Sequence, residues 1–236
     1  MNRSQNNLIK KLGLGLLVFG AMTGYFVVNA AAQERVINRF ELDKMRTKAE
    51  LAMRNLSHRV VTTTETFRAR DGKQSDSSVA TREFVLPDRR HTIFEIRAPW
   101  TPATKDESIY IGDVLYSRSA DGPWELIPPS TTVKKDPWPA FVRLPYNAVV
   151  RFIEKTTLEG QKVDVYEAVS TSDAFGTPPT KTTDTTRFWI REDGLYAKKV
   201  SEGENVQRQY FKRQTVTYEY NIKVKIDKPA VSKSKQ

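Results

Sequence analysis

Between residues 34 and 56 apolar side chains recur at helical spacing. Val36, Ile37, Phe40, Met45, Ala49, Ala52, Met53 and Leu56 alternate with Lys, Arg and Glu, and the stretch holds no proline or glycine. That pattern predicts an amphipathic helix over Glu34 to Leu56. Its stripe, with Val36, Phe40, Met45 and Met53 as contacts, needs an apolar surface to rest on, and a sheet is the expected one. From Arg59 onward the period shortens. Runs of β-branched and aromatic residues cover Arg59 to Arg70, Ser78 to Leu86, His91 to Arg97, Ser108 to Ile111, Val114 to Ser119 and Trp124 to Ile127. They are separated by Asp71-Gly72, Pro87-Asp88, Pro99, Gly112-Asp113 and Asp121-Gly122, which are turn signals of an antiparallel meander.

The middle of the chain breaks this rhythm. Pro128, Pro129, Pro137, Pro139 and Pro145 crowd into one segment with Trp138, Phe141 and Leu144, and a central strand cannot carry them. Strands resume at Val149 to Thr156 and Lys162 to Ser170 across Glu159-Gly160. A polar Thr/Pro loop is expected over Thr171 to Asp184. Thr185 to Arg191 then pairs with Leu195 to Ser201 across Asp193-Gly194. Gln207 to Tyr220 reads as one long strand, Asn221 to Ile226 as the close of the sheet, and 229–236 as a charged, disordered tail. The sum is one helix and about ten strands in a single α+β, mainly β domain.

The first 32 residues change the compartment. Arg3, Lys10 and Lys11 precede an apolar run from Leu12 to Val28, and no acidic residue occurs before Glu34. Ala30-Ala31-Ala32 supplies small residues for a signal peptidase, so a Sec signal peptide over 1–32 is expected, cut after Ala32 or after Ala30. Gly13, Gly15, Gly20 and Gly24 make the run a poor permanent anchor. Removing Arg3, Lys10 and Lys11 lowers the formal charge from +10 to +7. That excess is spread along the chain. Export and the lack of a nucleic-acid motif argue against nucleic acid as a partner, and an anionic membrane surface suits such charge better. The chain has no cysteine, which rules out thiol chemistry, disulfides and the lipid-modified cysteine of lipoproteins. A periplasmic or secreted protein without a lipid anchor is the expectation.

Candidate chemistry is sparse. His58 and His91 each adjoin arginine and have no partner at metal-ligand spacing. No serine sits in a glycine-flanked elbow, and Asp71, Asp113, Asp121 and Asp193 belong to turns. A hydrolase working with two carboxylates is the weakest reading, and neither an enzyme nor a cofactor is expected. Large aromatics dominate instead. Most belong to the core, but Trp138 and Phe141 lie where proline has removed the backbone from strand pairing. A proline-rich lid carrying Trp138, Phe141 and Leu144 over an open sheet face is therefore expected.

Several strings resemble the periplasmic lipoprotein carriers of the LolA/LolB-like superfamily. Phe188-Trp189-Ile190 followed by Asp193-Gly194-Leu195 and Lys198-Lys199 is similar to that family's strand-turn-strand. Tyr218-Glu219-Tyr220-Asn221 before Ile226 and Pro229 resembles its closing strand. Tyr110 to Tyr116 across Gly112-Asp113, with Asp121-Gly122-Pro123-Trp124, resembles its central hairpin. The resemblance implies a curved antiparallel sheet, an unclosed half-barrel over 33–228, with the N-terminal helix and the lid on its concave face. It implies a carrier of lipid or lipoprotein acyl chains in the cell envelope, with Phe84, Tyr110 and Trp124 joining Trp138, Phe141 and Leu144 at the lipid. An envelope sensor or interaction protein whose groove is filled by its own side chains is the alternative.

Overall fold

The computed structural model describes residues 35–99, 101–128, 147–174, 180–205 and 209–231. The expected signal peptide and the proline-rich segment with Trp138, Phe141 and Leu144 lie outside the described residues. The chain opens with strand β1 (Arg35–Ile37) and helix α1 (Arg39–Arg54). Strands β2 (His58–Arg68), β3 (Gln74–Val85), β4 (Arg89–Ala98), β5 (Thr101–Ile111), β6 (Val114–Ser119) and β7 (Glu125–Ile127) follow as a meander. A second meander holds β8 (Val149–Leu158), β9 (Gln161–Ala174), β10 (Thr180–Arg191), β11 (Tyr196–Asn205) and β12 (Tyr210–Tyr220). All twelve join one sheet in the order β1-β8-β9-β10-β11-β12-β2-β3-β4-β5-β6-β7. The pairing of β12 with β2 fuses the meanders, and β1 and β7 are left as the two edges.

The helix is shorter than its periodicity predicts. Residues 35–37 pair with β8, Val36 opposite Arg151 and Ile37 opposite Val150, because β-branched residues beside a free strand edge gain more from pairing than from helix. Asn38 is extended and its side chain accepts the Glu41 N–H at 2.9 Å, a cap that starts the helix. This start rotates the stripe. Leu42, Ala49 and Met53 are buried, and Met45, Ala52 and Leu56 pack beside them. Val36 and Phe40, expected on the sheet, are 63% and 81% exposed.

One core cluster joins this stripe to side chains of β1, β8, β9, β10, β11 and β12. Laid flat, six strands would span roughly 24 Å, about twice the diameter of a helix. A single helix shares a core with all of them only if the sheet curls around it. The helix therefore lies in the concavity of an open half-barrel. Behind it the Asp193-Gly194 turn closes tightly: Gly194 has φ +87°, and a Cβ there would lie 3.2 Å from Lys48 Cε. Only glycine suits that backbone at low cost.

Two expectations at the margins are corrected. The Thr171 to Asp184 region is not a free loop at its ends, since β9 runs to Ala174, β10 begins at Thr180, and Thr180 pairs with Ala174. Asn221 to Ile226 does not extend the sheet. Asn221 takes a left-handed φ of 59°, and the chain leaves β12 to cross the convex face. There Ile226 packs against Ile109 and Tyr116, Arg89 donates to the Ile226 carbonyl, and Val231 bridges Trp124. The alternation in the sequence could not separate a last strand from an extended strap.

Candidate functional site

Strand register assigns every side chain to one of two faces. On the concave face a ladder of rings crosses seven strands. Phe152, Tyr166, Phe188, Tyr196, Tyr218, Tyr220, His58 and Phe84 follow one another with centroids 4.6–6.5 Å apart. Phe84 then pairs with Arg90, whose guanidinium lies 4.1 Å over the Tyr110 ring. The helix covers the first part of this ladder. Burial pushes the hydroxyls of Tyr166 and Tyr196 up to about 12, and those of Tyr218 and Tyr220 higher still. Tyr220 donates to the Tyr196 carbonyl at 2.8 Å, which lets one of these phenols sit in apolar surroundings. His58 is fully buried, stacked on Phe84 with Nδ1 2.8 Å from the Leu56 carbonyl, and burial lowers its basicity.

Beyond the helix the same face continues. Val216, Thr62, Ala80, Phe94 and Asp106 form one row across β12, β2, β3, β4 and β5, and Ile96, Tyr110 and Leu115 lie in flanking rows. Among the described residues only the helix lies over this face. Phe94, Tyr110 and Leu115 are half-buried and Ile96 is exposed. Further from the helix the face becomes hydroxyl-rich, and Thr64, Thr66, Ser75 and Ser78 line a depression of about 510 Å³ with Arg68, Asp76, Gln209, Tyr210 and Lys212.

Three cations share this face. Lys199 stands between Phe188 and Val216, 8% exposed, and desolvation lowers its basicity. Arg82 stands between Val60 and Thr92, and Arg90 is its diagonal neighbour.

The expected site residues divide. Phe84 and Tyr110 share the concave face, linked through Arg90. Trp124 lies on the convex face, under Arg118 at 4.7 Å and against the Ile226 cluster. The convex face also carries a relay that linear spacing concealed. Glu219, Arg59, Glu83, His91, Glu107 and Arg118 form a continuous chain of ionic contacts across β12, β2, β3, β4, β5 and β6. His91 has Nδ1 3.2 Å from Glu83 and Nε2 2.6 Å from Glu107. Strand pairing, not sequence proximity, supplies these two carboxylates. Each is also held by an arginine, which suits a cross-strand brace rather than proton-transfer chemistry. Among the described residues no cluster of three His, Asp or Glu could hold a metal ion.

The geometry is that of an open antiparallel half-barrel with a helix-capped apolar concavity. No family model matches the chain, and no curated protein matches it. Among solved structures it is similar to LprF from Mycobacterium bovis, at 12% identity and a TM-score of 0.46, over 80% of this chain and 97% of that one. It is also similar to a domain from Vibrio parahaemolyticus described as an outer membrane lipoprotein-sorting protein, at 11% identity and a TM-score of 0.30, over 78% and 92% of the two chains. A third is a DUF1329 family protein from Desulfovibrio piger, at 12% identity and a TM-score of 0.27, over 77% and 95%.

Proposed function

We propose that the chain is a cell-envelope binder of lipid or lipoprotein acyl chains, which it holds on the concave face of the half-barrel. The observation that carries this reading is the apolar surface that outruns the helix. Phe94, Ile96, Tyr110 and Leu115 continue the concave face where no described element covers them. Burying a methylene there contributes about 0.8 kcal/mol, so an acyl chain of ordinary length gains enough to be retained. Trp138, Phe141 and Leu144 are proposed to close over it, because proline holds their backbone out of the sheet and their side chains need an apolar support. The N-terminal segment supports delivery to the periplasm or the exterior by the export machinery.

A second reading, a sensor or interaction protein with a filled groove, draws on Val60, Phe84 and Val216, which are already buried beside the helix end. Native mass spectrometry of the protein purified from its own envelope fraction separates the two. Co-purifying lipid mass is expected. A chain that carries no lipid and does not bind a fluorescent fatty acid in vitro would favour the filled groove. Replacing Trp138 and Phe141 together by Ser should weaken fatty-acid binding far more than it lowers stability, and wild-type binding by that variant would remove the lid from the proposal.

A further inference from the structure

A cation drawn partly out of water on an apolar sheet face ordinarily has an anion beside it, because the lost hydration is otherwise only partly replaced. Arg82 breaks that expectation. It sits on a central strand of the concave face, directly opposite Val60 on one side and Thr92 on the other. It makes no hydrogen bond or ion pair with any described residue, although the arginines of the convex face in the same sheet do. Its nearest charge is another cation. Arg90 is its diagonal neighbour across β3 and β4, a placement that sets the two backbones roughly 7–8 Å apart. Desolvation first, and the Arg90 charge second, lower the proton affinity of the Arg82 guanidinium. By register the nearest acid on that face, Asp106, is two strands from Arg82 and is engaged by the Ser119 hydroxyl at 2.7 Å.

No acid among the described residues therefore rewards a guanidinium at this half-buried position, where Met or Gln would pack as the arginine stem does without the charge. Positions that depart from the local rule of paired charge are where function is expected. What lies around it narrows the ligand. Phe84 and Phe94 flank Arg82 along β3 and β4, so an anion seated there has apolar surface on both sides. Arg90 over the Tyr110 ring adds a second positive charge in a fixed place. A planar five-donor fork matches a carboxylate or phosphate better than any neutral group.

We propose that Arg82, reinforced by Arg90, seats the anionic headgroup of the bound amphiphile, so that the ligand is a fatty acid or phospholipid and not a neutral lipid. This rests on the acyl-chain reading above and names the ligand class for the same face. The headgroup lies at Arg82 and the chain runs from it along the apolar rows of the concavity.

The test uses the full chain, stripped of lipid, with cis-parinaric acid and its methyl ester, which share a chain and differ in the carboxylate. Wild-type protein should bind the acid on the order of tenfold more tightly than the ester, the scale of a charge-assisted hydrogen-bonded pair. Arg82→Gln should bind both with the affinity of the ester, while its denaturation midpoint stays level or rises. Arg82→Lys should keep part of the preference. Lysophosphatidic acid should displace the probe better than lysophosphatidylcholine, and inorganic phosphate alone should not displace it. Equal binding of acid and ester by wild type, or an undiminished preference in Arg82→Gln, would overturn the headgroup assignment and leave acyl binding standing. If neither probe binds, both readings fall. Displacement by inorganic phosphate as effective as by lysophosphatidic acid would make this a free-anion site and overturn the proposal. An Arg82→Gln chain that no longer folds would assign the arginine to the fold and overturn it too.

Discussion

His91 and Glu107 are diagonal neighbours across β4 and β5 with Nε2 2.6 Å from Oε1, and Arg118 grips the other oxygen of the same carboxylate at 2.5 and 2.7 Å. Burial pushes the Glu107 carboxyl up, but hydrogen bonds and charge from Arg118 and His91 outweigh it and hold the group below its ordinary value of 4.5. A depressed folded value means that the unfolded chain takes up the proton first. The contribution of Glu107 is thus complete above pH 4.5 and is lost as pH falls through the depressed value. Wild-type unfolding free energy should decline below pH 4.5, and Glu107→Gln should flatten that part of the profile in denaturant titrations at stepped pH. A profile unchanged by the substitution would mean that other carboxylates control acid unfolding. Arg118→Met, which strands Glu107 in a buried position, should cost near the low end of the ~3–5 kcal/mol seen for broken buried pairs.

The helix offers a paired comparison. Met53 is 1% exposed in the shared core, so Met53→Ala should cost about 2–5 kcal/mol in chemical denaturation. Phe40→Ala should stay within about 0.5 kcal/mol, because Phe40 projects into solvent. A large loss at Phe40 would show that this ring has a partner under working conditions.

The buried phenols set the alkaline limit. Tyr166 and Tyr196, pushed up to about 12, remain protonated in the folded chain when exposed tyrosines ionise near 10. Because the folded value is raised, the stabilisation is full below pH 10 and disappears as pH rises towards 12. Absorbance at 295 nm should show one group of tyrosines ionising reversibly near pH 10. A second group should appear only together with loss of the β-sheet circular dichroism signal. A single smooth titration of all tyrosines at constant secondary structure would contradict the assigned burial.

Export is checked at the N-terminus. Protein recovered from the envelope fraction should begin at Gln33 or Ala31 by N-terminal sequencing. Intact Met1 in membrane-embedded material would replace a released protein with an anchored one.

Hydrophobic periodicity and turn chemistry determined most of the secondary structure, because both act over a few residues. Glycine-containing pairs at 71–72, 112–113, 159–160 and 193–194 mark hairpin turns between strands of the sheet. Alternation along each strand likewise separated Phe84 from Glu83 and Phe188 from Arg187, one inward and one outward. Which of two apolar faces mattered was a different kind of question. Phe84, Tyr110 and Trp124 look alike along the chain, yet register places the first two on the concave face, and packing against Ile226 and Arg118 places the third on the convex one. The start of the helix also needed tertiary structure, since Val36 and Ile37 satisfy a helical period as well as a strand, and the free edge of β8 decided between them. Arg82 and Arg59 are equally arginine beside β-branched residues. Only the pairing of β2, β3 and β12 gives Arg59 two carboxylates and sets Arg82 between Val60 and Thr92 with no acid directly opposite, because charge compensation in a sheet is made between strands that the sequence keeps far apart.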